Sequence, residues 1–278
     1  MEKIIICPTD FSDTANNATE YAAKLAQIIN AELVLVNVQK IFAPIAAVSL
    51  NEGVGRNTRE NTLLASNKLK EMSREINKIF NISATYEVDI STRSLAKTIS
   101  SFENKNSMIV MGTNGADDLT QFFWGTNTYN VIKQTKCPVL IIPEDFPFGS
   151  YKNILYPISE DKINRLALNQ FNDFIKYFDA QLTFLYVSRE NTESSAKTFD
   201  TLKEDVEIFF GEKFKLNFER IFSENVDDAI DDYIVDNTTD LLVMEMHPRS
   251  LLEKIFKKKP ILATLSAIAS YPVFVVHS

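Results

Sequence analysis

The chain has 278 residues, of which 45% are hydrophobic and 24% are charged, and its formal net charge is −8. This composition is typical of a folded globular protein, and the negative charge argues against nonspecific binding to nucleic acid or to anionic membranes. The two histidines argue against a histidine metal site and a Ser-His-Asp triad, and the two cysteines cannot form a disulfide framework. No apolar run is long enough to span a bilayer. We expect a cytoplasmic protein with buried, reduced cysteines.

The first half of the chain alternates strand-like and helix-like segments. KIIICP (3–8) predicts a strand, and the apolar residues that follow at helical spacing predict a helix capped by Ser12. The further predictions are strands at 32–38, 82–88, 107–112 and 137–142 and helices at 58–80, 93–105 and 126–135. Nearly continuous apolar strands that alternate with helices predict a parallel sheet with helices on both faces.

The second half of the chain repeats the first. Residues 151–187 align without a gap to residues 2–38, and DLLVME (240–245) matches SMIVMG (107–112). The first copy carries extra residues around 40–58, between its second strand and the following helix. Such internal similarity indicates two copies of one structural unit.

We therefore predict an α/β fold with two tandem Rossmann-like domains, residues 1–146 and residues 147–278. Each is expected to contain a five-stranded parallel sheet with helices on both faces. In the second copy the strands are predicted at 153–158, 180–187, 214–221, 240–246 and 271–277. We expect the copies to form an intrachain pseudo-dimer, and assembly into a homodimer stays open.

The segment after the predicted fourth strand, MGTNGADDLTQFFWGTNT (111–128), holds three of the chain's seven glycines. Ligands of open parallel sheets bind beyond the carboxyl ends of the strands. Gly112 and Gly115 let the backbone turn and bring amide groups close, and Gly125 with Thr126 opens a helix whose amino terminus attracts anions. The spacing indicates a phosphate site, with an ordinary strand–helix turn as the alternative.

These residues resemble the nucleotide-binding members of the universal stress protein family. Those members carry G-x2-G-x9-G-[S/T] after the fourth strand and an Asp soon after the first. The two motifs are matched here by Gly112, Gly115, Gly125 and Thr126, and by Pro8, Thr9 and Asp10. Together with the repeat, the motifs make the chain similar to a tandem universal stress protein over nearly its whole length.

The resemblance implies that the first domain binds ATP, ADP or AMP, with or without Mg²⁺. Asp10 and the backbone of Pro8 and Thr9 are then expected to contact the adenosine, and Val38, at the end of the second strand, to pack against the base. Gly112, Gly115, Gly125 and Thr126 are expected to hold the ribose and phosphates, with Asn127 adding a polar group at the helix start. Met111 is also expected in the cofactor site. The alternative for Asp10 is a turn residue that caps the next helix.

Two features depart from the family pattern. Asp117 and Asp118 stand where family members often carry a basic residue, and carboxylates there repel a triphosphate unless a divalent cation lies between them; the alternative is that both side chains point to solvent. In the second copy Ser159, Glu245 and Pro248 replace the aspartate and the first two glycines of the motif. We therefore expect nucleotide binding in the first domain and none in the second.

The resemblance implies a nucleotide-binding regulatory protein of the stress response that is not an enzyme. Its protein partners leave no motif in the sequence. Two alternatives stay open: a scaffold that works without a nucleotide, and a slow ATP hydrolase. Nucleotide-consuming enzymes of this architecture carry an SGGxDS loop or a HIGH-type histidine pair, and the chain contains neither.

Overall fold

The computed structural model describes residues 3–40, 52–113, 125–144, 146–159, 163–246 and 271–277. The chain folds into two compact units, Met1–Asp145 and Phe146–Ser278. Each unit is an α/β fold built on a parallel sheet. None of the helices among the described residues is both long and apolar enough to cross a membrane.

The first unit alternates strands and helices along its length. Its elements are β1 (Lys3–Pro8), α1 (Asp13–Ile29), β2 (Ala31–Lys40), α2 (Glu52–Phe80), β3 (Ala84–Ser91), α3 (Leu95–Phe102), β4 (Ser107–Gly112), α4 (Gly125–Gln134) and β5 (Val139–Ile142). The strand order is β3-β2-β1-β4-β5, and the paired strands run parallel. The direction in which successive strands are added reverses between β1 and β4, which is the place where open α/β sheets bind ligands.

Local sequence explains how the first unit packs. Ser12 caps α1 by accepting a hydrogen bond from the backbone N–H of Ala15, and Asn30 ends the helix in a left-handed conformation. Consecutive residues of β1 and β4 are buried, so that helices cover both faces of the sheet. The helix α1 packs against α2, and α3 packs against α4. Right-handed crossovers place these two pairs on opposite faces.

The second unit repeats this topology. Its elements are β6 (Asn153–Ile158), α5 (Arg165–Ile175), β7 (Gln181–Ser188), α6 (Glu193–Phe210), β8 (Lys215–Phe222), α7 (Val226–Asp236), β9 (Leu241–Met246) and β10 (Val273–His277). The strand order is β8-β7-β6-β9-β10, again parallel. Aromatic rings fill much of the core, and Tyr156 stacks on Phe184 with ring centroids 5.4 Å apart.

The predicted fold class is confirmed, and the bounds of β1, β4 and β6 match the prediction. Other bounds differ for identifiable reasons. The strands β5 and β10 begin at Val139 and Val273, just after Pro138 and Pro272, because proline has no N–H to donate to a neighbouring strand. The helix α2 begins at Glu52 rather than at 58, so that part of the extra sequence of the first copy lengthens a helix.

The predicted helix at 93–105 was too long at both ends. Ser94 caps α3 by accepting a hydrogen bond from the N–H of Lys97, and Glu103 is already extended. Beyond it, the side chain of Asn104 accepts a hydrogen bond from the N–H of Asn106, which forms a local turn before β4. Capping and turn-forming side chains therefore set both ends of this helix.

Candidate functional site

The carboxyl ends of β1 and β4 are neighbours in the first sheet, because β1 pairs with β4 from Ile4 opposite Ser107 to Ile6 opposite Ile109. The predicted residues that the structure describes at this edge are Pro8, Thr9, Asp10, Val38, Met111 and Gly112, and Gly125, Thr126 and Asn127 begin α4. Gly115, Asp117 and Asp118 lie outside the described residues. The topology thus brings the aspartate motif and both ends of the glycine motif to one edge of the sheet.

Asp10 lies exposed in a short turn between β1 and α1. One carboxylate oxygen, Oδ1, accepts hydrogen bonds from the N–H of Ser12 at 3.0 Å and from its hydroxyl at 2.6 Å. The Ser12 hydroxyl in turn accepts from the N–H of Ala15 at 3.2 Å. Ser12 is therefore the helix cap, and Asp10 holds that cap in place while its side chain remains exposed at the sheet edge.

Phe11, the next residue, has an unusual backbone conformation. Its φ is 67°, in the left-handed region that bulky side chains rarely adopt. The N–H of Phe11 donates to the hydroxyl of Thr9 at 3.1 Å, which stabilises the turn from inside. The Nζ atom of Lys68, on α2, lies 4.4 Å from the centroid of the Phe11 ring. The turn that carries Asp10 is thus fixed by contacts from both its own residues and α2.

Asn37 on β2 is a part of this edge that the sequence reasoning missed. Its side chain is buried, and its Nδ2 donates to the carbonyl oxygen of Thr9 at 2.7 Å. Gln39 donates from Nε2 to the Asn37 side-chain oxygen at 2.5 Å. A single amide side chain within the apolar run ELVLVNV was the signal that could have identified it. Asn37 positions the carbonyl that precedes Asp10.

Val38 and Met111 differ from their expected roles in detail. The strand β2 continues to Lys40, so that Val38 does not end it as predicted. Val38 is half-buried, and alternation along the strand directs it away from the face that Asn37 occupies. Met111 is only 5% exposed, and its side chain belongs to the core. Of the two, Val38 is the residue with side-chain surface available near the edge.

Gly112 is needed for close packing rather than for a turn. It is the last residue of β4, in register with Ile142, and its backbone is extended. A Cβ atom at this position would lie 2.6 Å from Cγ2 of Thr14 and 3.0 Å from the carbonyl oxygen of Thr14. The expectation that Gly112 lets the backbone turn is therefore wrong: only a glycine allows the first turn of α1 to lie against this strand end.

The start of α4 is held beside the same strand end. The Thr128 hydroxyl lies 3.3 Å from the carbonyl oxygen of Gly112 and 3.2 Å from that of Thr113, and Thr128 is only 2% exposed. Thr126 and Asn127 are exposed in the first turn of the helix. The first N–H groups of a helix lack partners within it and carry a partial positive charge. The edge can therefore offer hydroxyl, amide and backbone donors to an anion.

The corresponding edge of the second unit carries a hydrogen-bonded pair of side chains. Glu245 stands where the first unit has Gly112, and its Oε1 accepts a hydrogen bond from the hydroxyl of buried Tyr156 at 2.7 Å. Burial, together with the nearby Glu245 carboxylate, raises the pKa of Tyr156 well above its usual range. Ser159, in place of Asp10, is exposed, and Pro248 lies outside the described residues.

The two cysteines offer no nucleophile. Burial raises the pKa of the Cys7 thiol to about 12, although a contact with Thr19 opposes the shift. Burial and the charge of Glu103 raise the pKa of Cys137 still further. Both thiols are therefore protonated at neutral pH and are poor nucleophiles. Within the part of the chain that the structure describes, no three His, Cys, Asp or Glu side chains form a metal-binding cluster.

Comparison with known proteins gives a consistent result. The model of the universal stress protein family matches residues 1–143. Universal stress protein MJ0577 of Methanocaldococcus jannaschii is 30% identical over 156 residues, which cover 51% of this chain and 95% of that protein. The crystal structure of a universal stress protein from Archaeoglobus fulgidus matches with a TM-score of 0.73 at 18% identity, and the match covers 99% of this chain and 98% of the Archaeoglobus chain. At 18% identity, the similarity to the Archaeoglobus fulgidus structure shows a shared fold.

Proposed function

The chain belongs to the universal stress protein family, and from that premise we propose that its first unit binds one adenine nucleotide, ATP, ADP or AMP, with or without Mg²⁺. The observation that carries the proposal is the meeting of two motifs at one sheet edge. Asp10 is exposed in a fixed turn after β1, and the glycine motif, at its full spacing, runs from the end of β4 to the start of α4 at Gly125.

The described residues suit the parts of a nucleotide. The Asp10 carboxylate can accept hydrogen bonds from hydroxyl or amino groups, and half-buried Val38 offers apolar surface to a base. Thr126, Asn127 and the first backbone N–H groups of α4, which have no partner within the helix itself, can donate hydrogen bonds to phosphate oxygens. Gly112 contributes indirectly, because its missing side chain lets α1 and β4 approach each other.

We further propose that the protein acts by regulation in the stress response rather than by catalysis. Both cysteine thiols are protonated at neutral pH, and the segment 113–128 contains neither lysine nor arginine to stabilise a phosphoryl transition state. The nucleotide would then serve as a signal that protein partners read. Slow hydrolysis remains the enzymatic alternative.

One observation favours a second candidate, a scaffold that needs no nucleotide. Contact with Thr14 is by itself a sufficient reason for the glycine at position 112. Part of the glycine motif therefore has a structural role, and the motif could persist without a ligand. The two candidates differ in one measurable property, which is whether the purified protein holds or binds a nucleotide.

The test combines mass spectrometry with calorimetric titration. Denatured wild-type protein is analysed for a co-purified nucleotide, and ATP, ADP, AMP and adenosine are then titrated into the nucleotide-free chain. Gly115→Val should abolish binding with little loss of fold, because the new side chain would enter the phosphate path. Asp10→Asn should weaken binding while its amide oxygen still supports Ser12. Gly149→Ala is the matched control, since a Cβ there meets nothing within 4 Å.

The results separate the candidates. Wild-type affinity in Gly115→Val would end the assignment of the phosphate site. The absence of any nucleotide in the purified wild type, combined with no heat of binding for any of the four compounds, would favour the scaffold.

A further inference from the structure

The proposed nucleotide site has an unbalanced charge. A nucleotide triphosphate is strongly anionic, yet the segment 113–128 that should hold its phosphates contains Asp117 and Asp118 and neither lysine nor arginine. Anionic ligands are normally bound with help from Lys or Arg side chains. A full positive charge, beyond the partial charge at the start of α4, would therefore come from another element that reaches the carboxyl edge of the sheet, or from a metal ion.

Lys68 of α2 is placed to supply it. Its ammonium group lies 4.4 Å from the ring centroid of Phe11, the residue directly after Asp10. The left-handed backbone of Phe11 is part of the fixed turn, and Phe11 directly follows the proposed adenosine anchor in sequence. Lys68 therefore lies beside the turn that carries Asp10, although it is remote from that turn in sequence.

The ammonium group of Lys68 is also available for a ligand. Within the described ranges Lys68 forms no ion pair, and the contact of an exposed lysine with an aromatic ring is weak. Arg93, which follows β3 at the same edge, differs in this respect because Asp89 holds its guanidinium at 3.0 Å. Among the described residues, recruiting Lys68 breaks no ion pair, whereas recruiting Arg93 would break one.

We infer that Lys68 is a specificity-determining residue of the nucleotide site: it moves from the Phe11 ring to the phosphate groups of a bound nucleotide and replaces the basic residue that the loop after β4 lacks. The inference rests on the proposed function. It predicts that Lys68 discriminates among ligands by their phosphate charge, so that its removal affects ATP more than ADP, ADP more than AMP, and adenosine least.

The experiment measures the affinities of ATP, ADP, AMP and adenosine for the full chain by calorimetry at two salt concentrations. Lys68→Ala should weaken ATP binding about tenfold and reduce its salt dependence, with a change of less than about twofold for adenosine. Lys68→Arg should retain ATP affinity. Lys70→Ala is the matched control: it removes the same charge from the same helix, about 200° around its axis from Lys68.

Each contrary outcome has its own meaning. Equal losses for ATP and adenosine in Lys68→Ala would show that Lys68 only supports the Phe11 turn, and unchanged ATP affinity would show that it plays no part; both overturn the inference while nucleotide binding stands. An equal loss of ATP affinity in Lys70→Ala would show that the effect depends on the overall charge of the helix and not on the position of Lys68, and it would overturn the inference as well. A wild type that binds none of the four compounds would overturn the proposed function, and the inference with it.

Discussion

Replacing Gly112 by alanine tests how far this glycine serves packing. The added Cβ would lie 2.6 Å from Cγ2 of Thr14 and 3.0 Å from its carbonyl oxygen, whereas ordinary contacts of this kind are 3.4–4 Å. Thr14 is buried and β-branched, and its carbonyl belongs to the first turn of α1, so that neither atom can move alone. Relief requires a shift of α1, and overpacking of this kind costs about 1–3 kcal/mol.

Urea denaturation measures this cost. With an m-value of about 2 kcal/mol per molar urea, the midpoint of Gly112→Ala should fall by about 1 M. Thr14→Ser removes Cγ2 but keeps the carbonyl, so the double variant should recover part of the loss and reveal coupling between the two sites. Gly149→Ala, with open space around its Cβ, should unfold like the wild type. A wild-type midpoint for Gly112→Ala would refute the packing argument.

Three further predictions concern the second unit, the thiols and the stoichiometry. Tyr156→Phe should lower the free energy of unfolding by about 1–3 kcal/mol, because Glu245 loses a hydrogen-bond donor. Because the pKa of Tyr156 is raised in the folded state, this contribution to the free energy of unfolding is fully present below pH 10 and is lost as the pH rises further. The free energy of unfolding measured in urea should therefore fall with pH above 10 in the wild type, and Tyr156→Phe should lose this slope. An unchanged slope in the variant would contradict the assignment. In a thiol-reagent assay at neutral pH, buried Cys7 and Cys137 should react only after unfolding, so fast labelling of the native chain would count against their burial. Calorimetry of the full chain should give one ATP per chain, because Glu245 stands at the second unit's edge; two saturable sites would mean that the second unit binds as well.

Much of this fold could be predicted because its signals are local. Apolar strand runs, helical spacing and the internal repeat indicated two parallel α/β units, and the glycine pattern placed the start of α4 at Gly125. The shortfalls are equally physical. The role of Gly112 depends on where Thr14 of α1 lies, and the structural role of Asn37 and the proposed role of Lys68 depend on contacts with the turn after β1. Such contacts join residues distant in sequence, and no local pattern encodes them.

Because of the left-handed backbone of Phe11, stability and the proposed nucleotide binding would favour different residues at this position in related sequences. A bulky residue in this conformation costs about 1–2 kcal/mol relative to an ordinary one, and the hydrogen bonds of Thr9, Asp10 and Asn37 hold it there. The turn is therefore ordered without a ligand, and the proposed binding of a nucleotide would lose little conformational entropy at Asp10. A glycine at position 11 would relieve the unfavourable φ but widen the range of conformations open to Asp10, so selection for a more stable chain would act against selection for tight binding at this turn.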